Sequence, residues 1–241
     1  ITGGGTIDVL TGASFNFNGT GNMNYAQNLG TQQVLNNSGT MSWAGNAIFY
    51  AGTINITNNG TFNITDGDEL SDGENLPPNT LTLNNNATIT KTGSVSTFFD
   101  ESVVFNNNSG SLLEIGFGSG LEVKGTASYS GAVTIADEAS LFLTNGLQTF
   151  TATGSLANGS GGGGTLSISG EPTITFANGA TVNIASISHT GGAEVIYDNN
   201  TFARTYRFDV GTIDGSGTLS VGTSGGGFEW ASGIMKGTGT T

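Results

Sequence analysis

The sequence predicts an all-β chain wound as a parallel β-helix, a β-solenoid forming one elongated domain over residues 1–241. Three observations point there. A short strand-like unit recurs behind a glycine or other small residue. Asn doublets and triplets recur at an interval suited to one coil. No window of a dozen residues places apolar side chains at the i, i+3, i+4, i+7 positions of a helix.

The recurring unit is Gly or a small residue, often Thr, then apolar-polar-apolar. It is seen in GTIDV from Gly5, GTMSW from Gly39, GTINI from Gly52, GTFNI from Gly60, GAVTI from Gly131, GTLSI from Gly164, GATVNI from Gly179 and GTLSV from Gly217. Such alternation belongs to a strand with one buried face. It turns Ile54 with Ile56, and Phe62 with Ile64, toward the core, leaving Asn55 and Asn63 outside. Phe15, Phe17, Trp43, Phe49, Tyr50, Phe62 and Phe176 mostly follow the same alternation and are expected as core stacks rather than outward platforms for glycans.

The Asn clusters fall at Asn36 and Asn37, Asn58 and Asn59, Asn84 to Asn86, and Asn106 to Asn108, about 22, 26 and 22 residues apart. That interval suits a rung of three short strands and three turns. Asn tolerates the left-handed region of turns, and its amide can bond to the same amide one rung away. A stacked Asn ladder is therefore expected. A β-sandwich is the alternative architecture, since alternating strands with Gly and Asn turns fit it too. The Asn period weighs against it, as does the chain's length with no linker to divide two sandwiches. Gly159 to Gly164 is the one candidate linker, and the same pattern on both sides makes it a widened turn.

Composition excludes several classes. Five Lys and Arg stand against eighteen Asp and Glu, for a net charge of −13 and a pI near 4.1. No basic surface is available for phosphates or anionic lipid, so neither nucleic acid nor membrane is an expected partner. No apolar run long enough to span a bilayer is present, and the sequence opens ITGGGTIDVL without Met or a basic n-region. The chain is expected to be soluble, without a signal peptide, and either processed or cut from something longer. The absence of Cys removes disulfides, thiol catalysis and thiolate metal sites. No GxSxG elbow occurs, and no GK[ST] follows the Gly runs.

Two segments share a sharper theme, a Trp after a strand, a small-residue turn, then a GTGT or NNGTFNI tail. They are FEWASGIMKGTGTT from Phe228 to Thr241 and NNSGTMSWAGNAIFYAGTINITNNGTFNI from Asn36 to Ile64. This resembles the repeat regions of very large bacterial secreted surface proteins, autotransporter passenger domains and filamentous-haemagglutinin-like adhesins. The resemblance implies a right-handed parallel β-helix projecting from the cell surface, with a role in adhesion, aggregation or matrix building and an extracellular location. Neither a secretion domain nor a barrel translocator nor an RGD tripeptide accompanies it, so export route and receptor do not carry over. Joining KGTGTT to ITGGGTIDVL continues the strand pattern with Ile1, Ile7 and Val9 in step. One unit of a tandem array or of a head-to-tail polymer is expected, with the chain itself or adjacent repeats as the partner.

Two clusters are candidate sites. DGDELSDGENLPPN, residues 66–79, offers Asp66, Asp68, Glu69, Asp72 and Glu74 as hard oxygen ligands of the kind Ca²⁺ takes. Its other reading is a solvated acidic loop inserted in the repeat. SHTGGAEVIYDNNTFARTYRFDV gathers His189, Glu194, Tyr197, Asp198, Arg204, Tyr206, Arg207 and Asp209. Surface pairing of Arg204 and Arg207 with Asp198 and Asp209 is the expectation here. The alternative is a glycan-binding or polysaccharide-degrading β-helix, with Tyr197, Arg204, Tyr206 and Arg207 on the sugar. Asp100 with Glu101, and Asp137 with Glu138, are expected as turn or surface charges. No catalytic residue is assigned, and the chain is expected to be non-enzymatic.

Overall fold

The computed structural model describes residues 5–17, 33–45, 53–67, 69–71, 81–222 and 225–240. All regular elements among them are strands, and the strands pair in parallel to build a β-solenoid. One sheet of eleven strands forms the first face. Its successive strands lie 18 to 28 residues apart in sequence, from Glu194 beside Thr212 to Gly5 beside Gln33. Parallel pairing at that offset excludes the β-sandwich alternative, whose neighbouring strands run antiparallel.

The second sheet, of sixteen strands, folds around a corner and supplies two more faces. Strand Thr181–His189 spans that corner. Its inward residues are Val182 and Ile184, then Ala185, Ile187 and His189. The change of parity between Ile184 and Ala185 marks the bend. The first half pairs with Ser155–Asn158 on the second face, and the second half pairs with Thr165–Ile168 on the third. Three faces thus enclose one core.

Each Gly-led unit lies on a strand, and the inward residues are those the alternation predicts. Ile54, Ile56, Phe62 and Ile64 are buried, whereas Asn55 and Asn63 face out. The leading glycine has a steric reason at Gly60. A Cβ there would lie 2.2 Å from the Gly39 carbonyl oxygen of the adjoining rung, so the turn backbones of neighbouring rungs touch. Gly159 to Gly164 is a widened turn between second-face and third-face strands, with Gly161 and Gly162 at φ of 84° and 77°. Asp137 and Glu138 also lie in a turn.

The Asn ladder is present and fully buried. Asn37 Nδ2 donates to Asn58 Oδ1 at 2.7 Å, Asn58 to Asn85 at 2.8 Å, and Asn85 to Asn107 at 2.8 Å. The second hydrogen of each amide goes to a backbone carbonyl, that of Thr61, Thr88 or Leu112. The column ends where Ser111 Oγ donates to Asn107 Oδ1 and Asn107 Nδ2 donates to the Ala132 carbonyl. Solvent-facing amides form a second, outer line through Asn59, Asn86 and Asn108.

The next rung continues the same inward position with a ring. Asn107 is in register with Tyr129, followed by Phe150, Phe176 and Tyr197. Their centroids are 4.4, 4.9 and 5.1 Å apart and near-parallel. One column therefore changes from hydrogen-bonded amides to stacked rings. Both solutions repeat at the strand spacing of about 4.8 Å.

Two expectations need placing. Of the acidic stretch 66–79, Asp66 and Gly67 close strand Thr61–Gly67 and Glu69–Leu70 pairs with Thr97–Phe99 as a strand of the third face, whereas residues 68 and 72–79 lie outside the described residues. Leu70 is 1% exposed and anchors that short strand to the core. Trp43, Phe62 and Phe176 are core side chains as predicted, and Phe15 packs partly against them, whereas Phe49, Tyr50 and the Phe17 side chain lie outside the described residues.

Candidate functional site

His189 sits on the third face in a column of core side chains, with Ile168 on one side and Phe208 on the other. It has no exposed surface. Its Nε2 is 3.2 Å from the Ala193 carbonyl, which only accepts, so Nε2 carries the hydrogen and Nδ1 is left as an acceptor. Tyr206 Oη stands 3.4 Å from Nδ1, and Tyr197 Oη donates to Tyr206 Oη at 3.2 Å. The result is a closed chain of neutral groups. Burial lowers the His189 pKa to about 4, against a smaller opposing effect of the Ala193 carbonyl. Burial also pushes the Tyr197 and Tyr206 phenols upward.

The residues predicted for this segment therefore separate by parity. Tyr197 and Tyr206 point inward at 3% and 0% exposure, which corrects their assignment to a glycan laid on the surface: an inward ring of a solenoid strand meets only the rungs above and below. Arg207 faces out and pairs with Asp209 at 2.8 Å, as expected. Asp209 raises the guanidinium pKa through the hydrogen bond and its charge. Arg204 does not pair with Asp198. It donates to the Gly162 carbonyl at 3.2 Å, tying the widened turn to the corner, while Asp198 accepts from the backbone N–H and hydroxyl of Ser216. Glu194 joins Lys236, which also meets Asp214, at 2.9 and 3.2 Å. The Gly215 N–H, then Lys236, hold the Asp214 pKa below the usual carboxylate range.

Of the acidic cluster, Asp68, Asp72 and Glu74 lie outside the described residues, as does the Asp66 side chain. Glu69 is on the short third-face strand. Among the described residues no three His, Asp or Glu gather at metal-binding distance.

A cavity of about 200 Å³ lies beyond the last ring of the aromatic column, lined by Tyr197, Ile213, Leu219 and Met235 with Asp214 and Lys236 at its polar side. Register explains it. Ile196 pairs with Asp214, so Gly215 follows where the next ring would stand. A Cβ on Gly215 would lie 2.2 Å from the Tyr197 carbonyl oxygen, and its φ is 124°.

Comparison of the chain with protein-family models, curated proteins and solved structures finds no match.

The sequence reading missed the outward rings of the third face. Phe98 and Phe142 alternate with buried neighbours on strands Thr97–Phe99 and Ser140–Leu143. Phe117, at a corner, is 65% exposed. For Phe98 and Phe142 the signal was available in their parity, since each stands between two inward residues.

Proposed function

We propose that this chain is a non-enzymatic structural and adhesive segment of an extracellular bacterial surface fibre, assembled by head-to-tail stacking of solenoid units. The observation that carries the reading is the column of amides and then rings along the first face. It ties successive rungs by hydrogen bonds from Asn37 to Asn107 and by stacking from Tyr129 to Tyr197, in a form suited to bearing load and excluding proteases. The head-to-tail element is supported by the outermost described rung. There Phe228 and Trp230 occupy inward columns above Tyr206 and Phe208, yet are 38% and 54% exposed. A further rung of the same kind would cover both rings and pair the strand backbone.

Force spectroscopy on the chain held between flanking marker domains tests the mechanical part. The reading expects stepwise, high-force release of rungs. A single low-force extension would refute it. Concentration-dependent light scattering tests stacking between copies, and removal of the exposed ring by Trp230→Ser should reduce any assembly observed.

A further inference from the structure

The third face carries a strip of outward rings on the rungs that precede the His189 segment. Phe98 pairs in register with Glu122, and Glu122 with Phe142, so the three side chains stand in one outward column. The two rings are two rungs apart, about 9.6 Å at the usual strand spacing. Gly120, two residues before Glu122 on the same strand, lies beside the Phe142 ring. A Cβ there would lie 2.6 Å from Ser96 Oγ and 3.3 Å from Phe142 Cε2, so any side chain would displace the ring. Glu122 Oε1 accepts from Thr144 Oγ1 at 2.9 Å, and Lys124 Nζ lies over one face of the Phe98 ring, 5.1 Å from its centre. Beyond Phe142 the same column continues with the hydroxyls of Ser167 and Ser188 and then with Arg207.

We propose that this strip binds a neutral glycan chain lying along the solenoid axis, with sugar rings stacked on Phe98 and Phe142. A pyranose has an apolar C–H face and a rim of hydroxyls, and the strip offers the complement of both. Its rings take the apolar faces, the fixed Glu122 carboxylate between them accepts from hydroxyls, and the separation of the rings is on the scale of a disaccharide. The net charge of −13 repels acidic polymers and selects for neutral ones. A protein partner would need a continuous apolar patch, and the alternation of ring, carboxylate and ring interrupts one. The proposal rests on the adhesive part of the function above and supplies its ligand class.

The test is retention of the full chain on insoluble cellulose, chitin, mannan and β-1,3-glucan. At least one should retain it, and Phe98→Ala/Phe142→Ala should lower the apparent affinity by about tenfold or more, a readable loss. Glu114→Ala, exposed on the second face, should leave retention unchanged. If the double variant melts early, Glu122→Gln, which keeps both rings, must weaken retention several-fold. No retention on any of the four polymers, retention indifferent to the double variant, or retention indifferent to Glu122→Gln overturns the proposal. Failure of the mechanical reading would appear in the force measurement and leave retention untouched, so the two are separable.

Discussion

Replacing Asn58 by Ala should destabilise the solenoid by about 3–5 kcal/mol, far more than the same change at its neighbour Asn59. Asn58 is fully buried. It donates to Asn85 Oδ1 at 2.8 Å and to the Thr88 carbonyl at 2.9 Å, and it accepts from Asn37 at 2.7 Å. Three hydrogen bonds are lost, each worth about 1 kcal/mol net, and groups left unpaired in a dry column add about 1–3 kcal/mol. Asn37 and Asn85 keep part of their bonding, to Thr61 and to the Ala87 N–H, which holds the total near the stated range. Asn59 accepts one exposed bond from Asn86, so its loss should cost about 0.5 kcal/mol or less. Denaturant unfolding followed by circular dichroism measures both. An Asn58→Ala/Asn85→Ala cycle should also show coupling of about 1 kcal/mol. Equal costs at Asn58 and Asn59, or strict additivity in the cycle, would refute the buried amide column.

Phe150→Ala should cost about 3–5 kcal/mol, because it removes a ring stacked on both sides, by Tyr129 and Phe176; calorimetry checks it. Stability should fall with acidification below about pH 6.5: the unfolded imidazole takes its proton near 6.5, while the folded His189 resists until about 4. Roughly 3 kcal/mol present above pH 6.5 is therefore lost as pH drops toward 4, and His189→Leu should flatten that slope in melts across the range. Arg207→Ala removes an exposed ion pair with Asp209 and should leave the melting temperature unchanged.

The amide column was legible because Asn is polar, conspicuous and repeated in doublets at nearly constant spacing. The rings that continue it were not. Tyr129, Phe150, Phe176 and Tyr197 lie 21, 26 and 21 residues apart by register, and each looks like any inward aromatic until the strands are aligned. At the candidate site the charged residues drew attention, and parity decided the outcome. His189 shares the inward side of its strand with Ile187, Tyr197 with Val195, and Tyr206 with Phe208. Those alternations bury the His and both Tyr residues, and leave Arg207 outside. The short strand Glu69–Leu70 escaped notice because two residues carry no period. What fixes it is pairing with Phe98 and Phe99, nearly thirty residues later.

Parallel stacking in this register is tested most directly by crosslinking, since the chain contains no Cys of its own. Glu114 and Thr134 are outward partners on adjacent second-face strands, whereas Ala157 follows Thr134 one rung further on. Register partners stand at the strand spacing of about 4.8 Å, inside disulfide range, and residues two rungs apart stand at about 9.6 Å, outside it. Glu114→Cys/Thr134→Cys should oxidise rapidly to an intramolecular disulfide, and Glu114→Cys/Ala157→Cys should not. A disulfide in the second pair with none in the first would contradict the solenoid register.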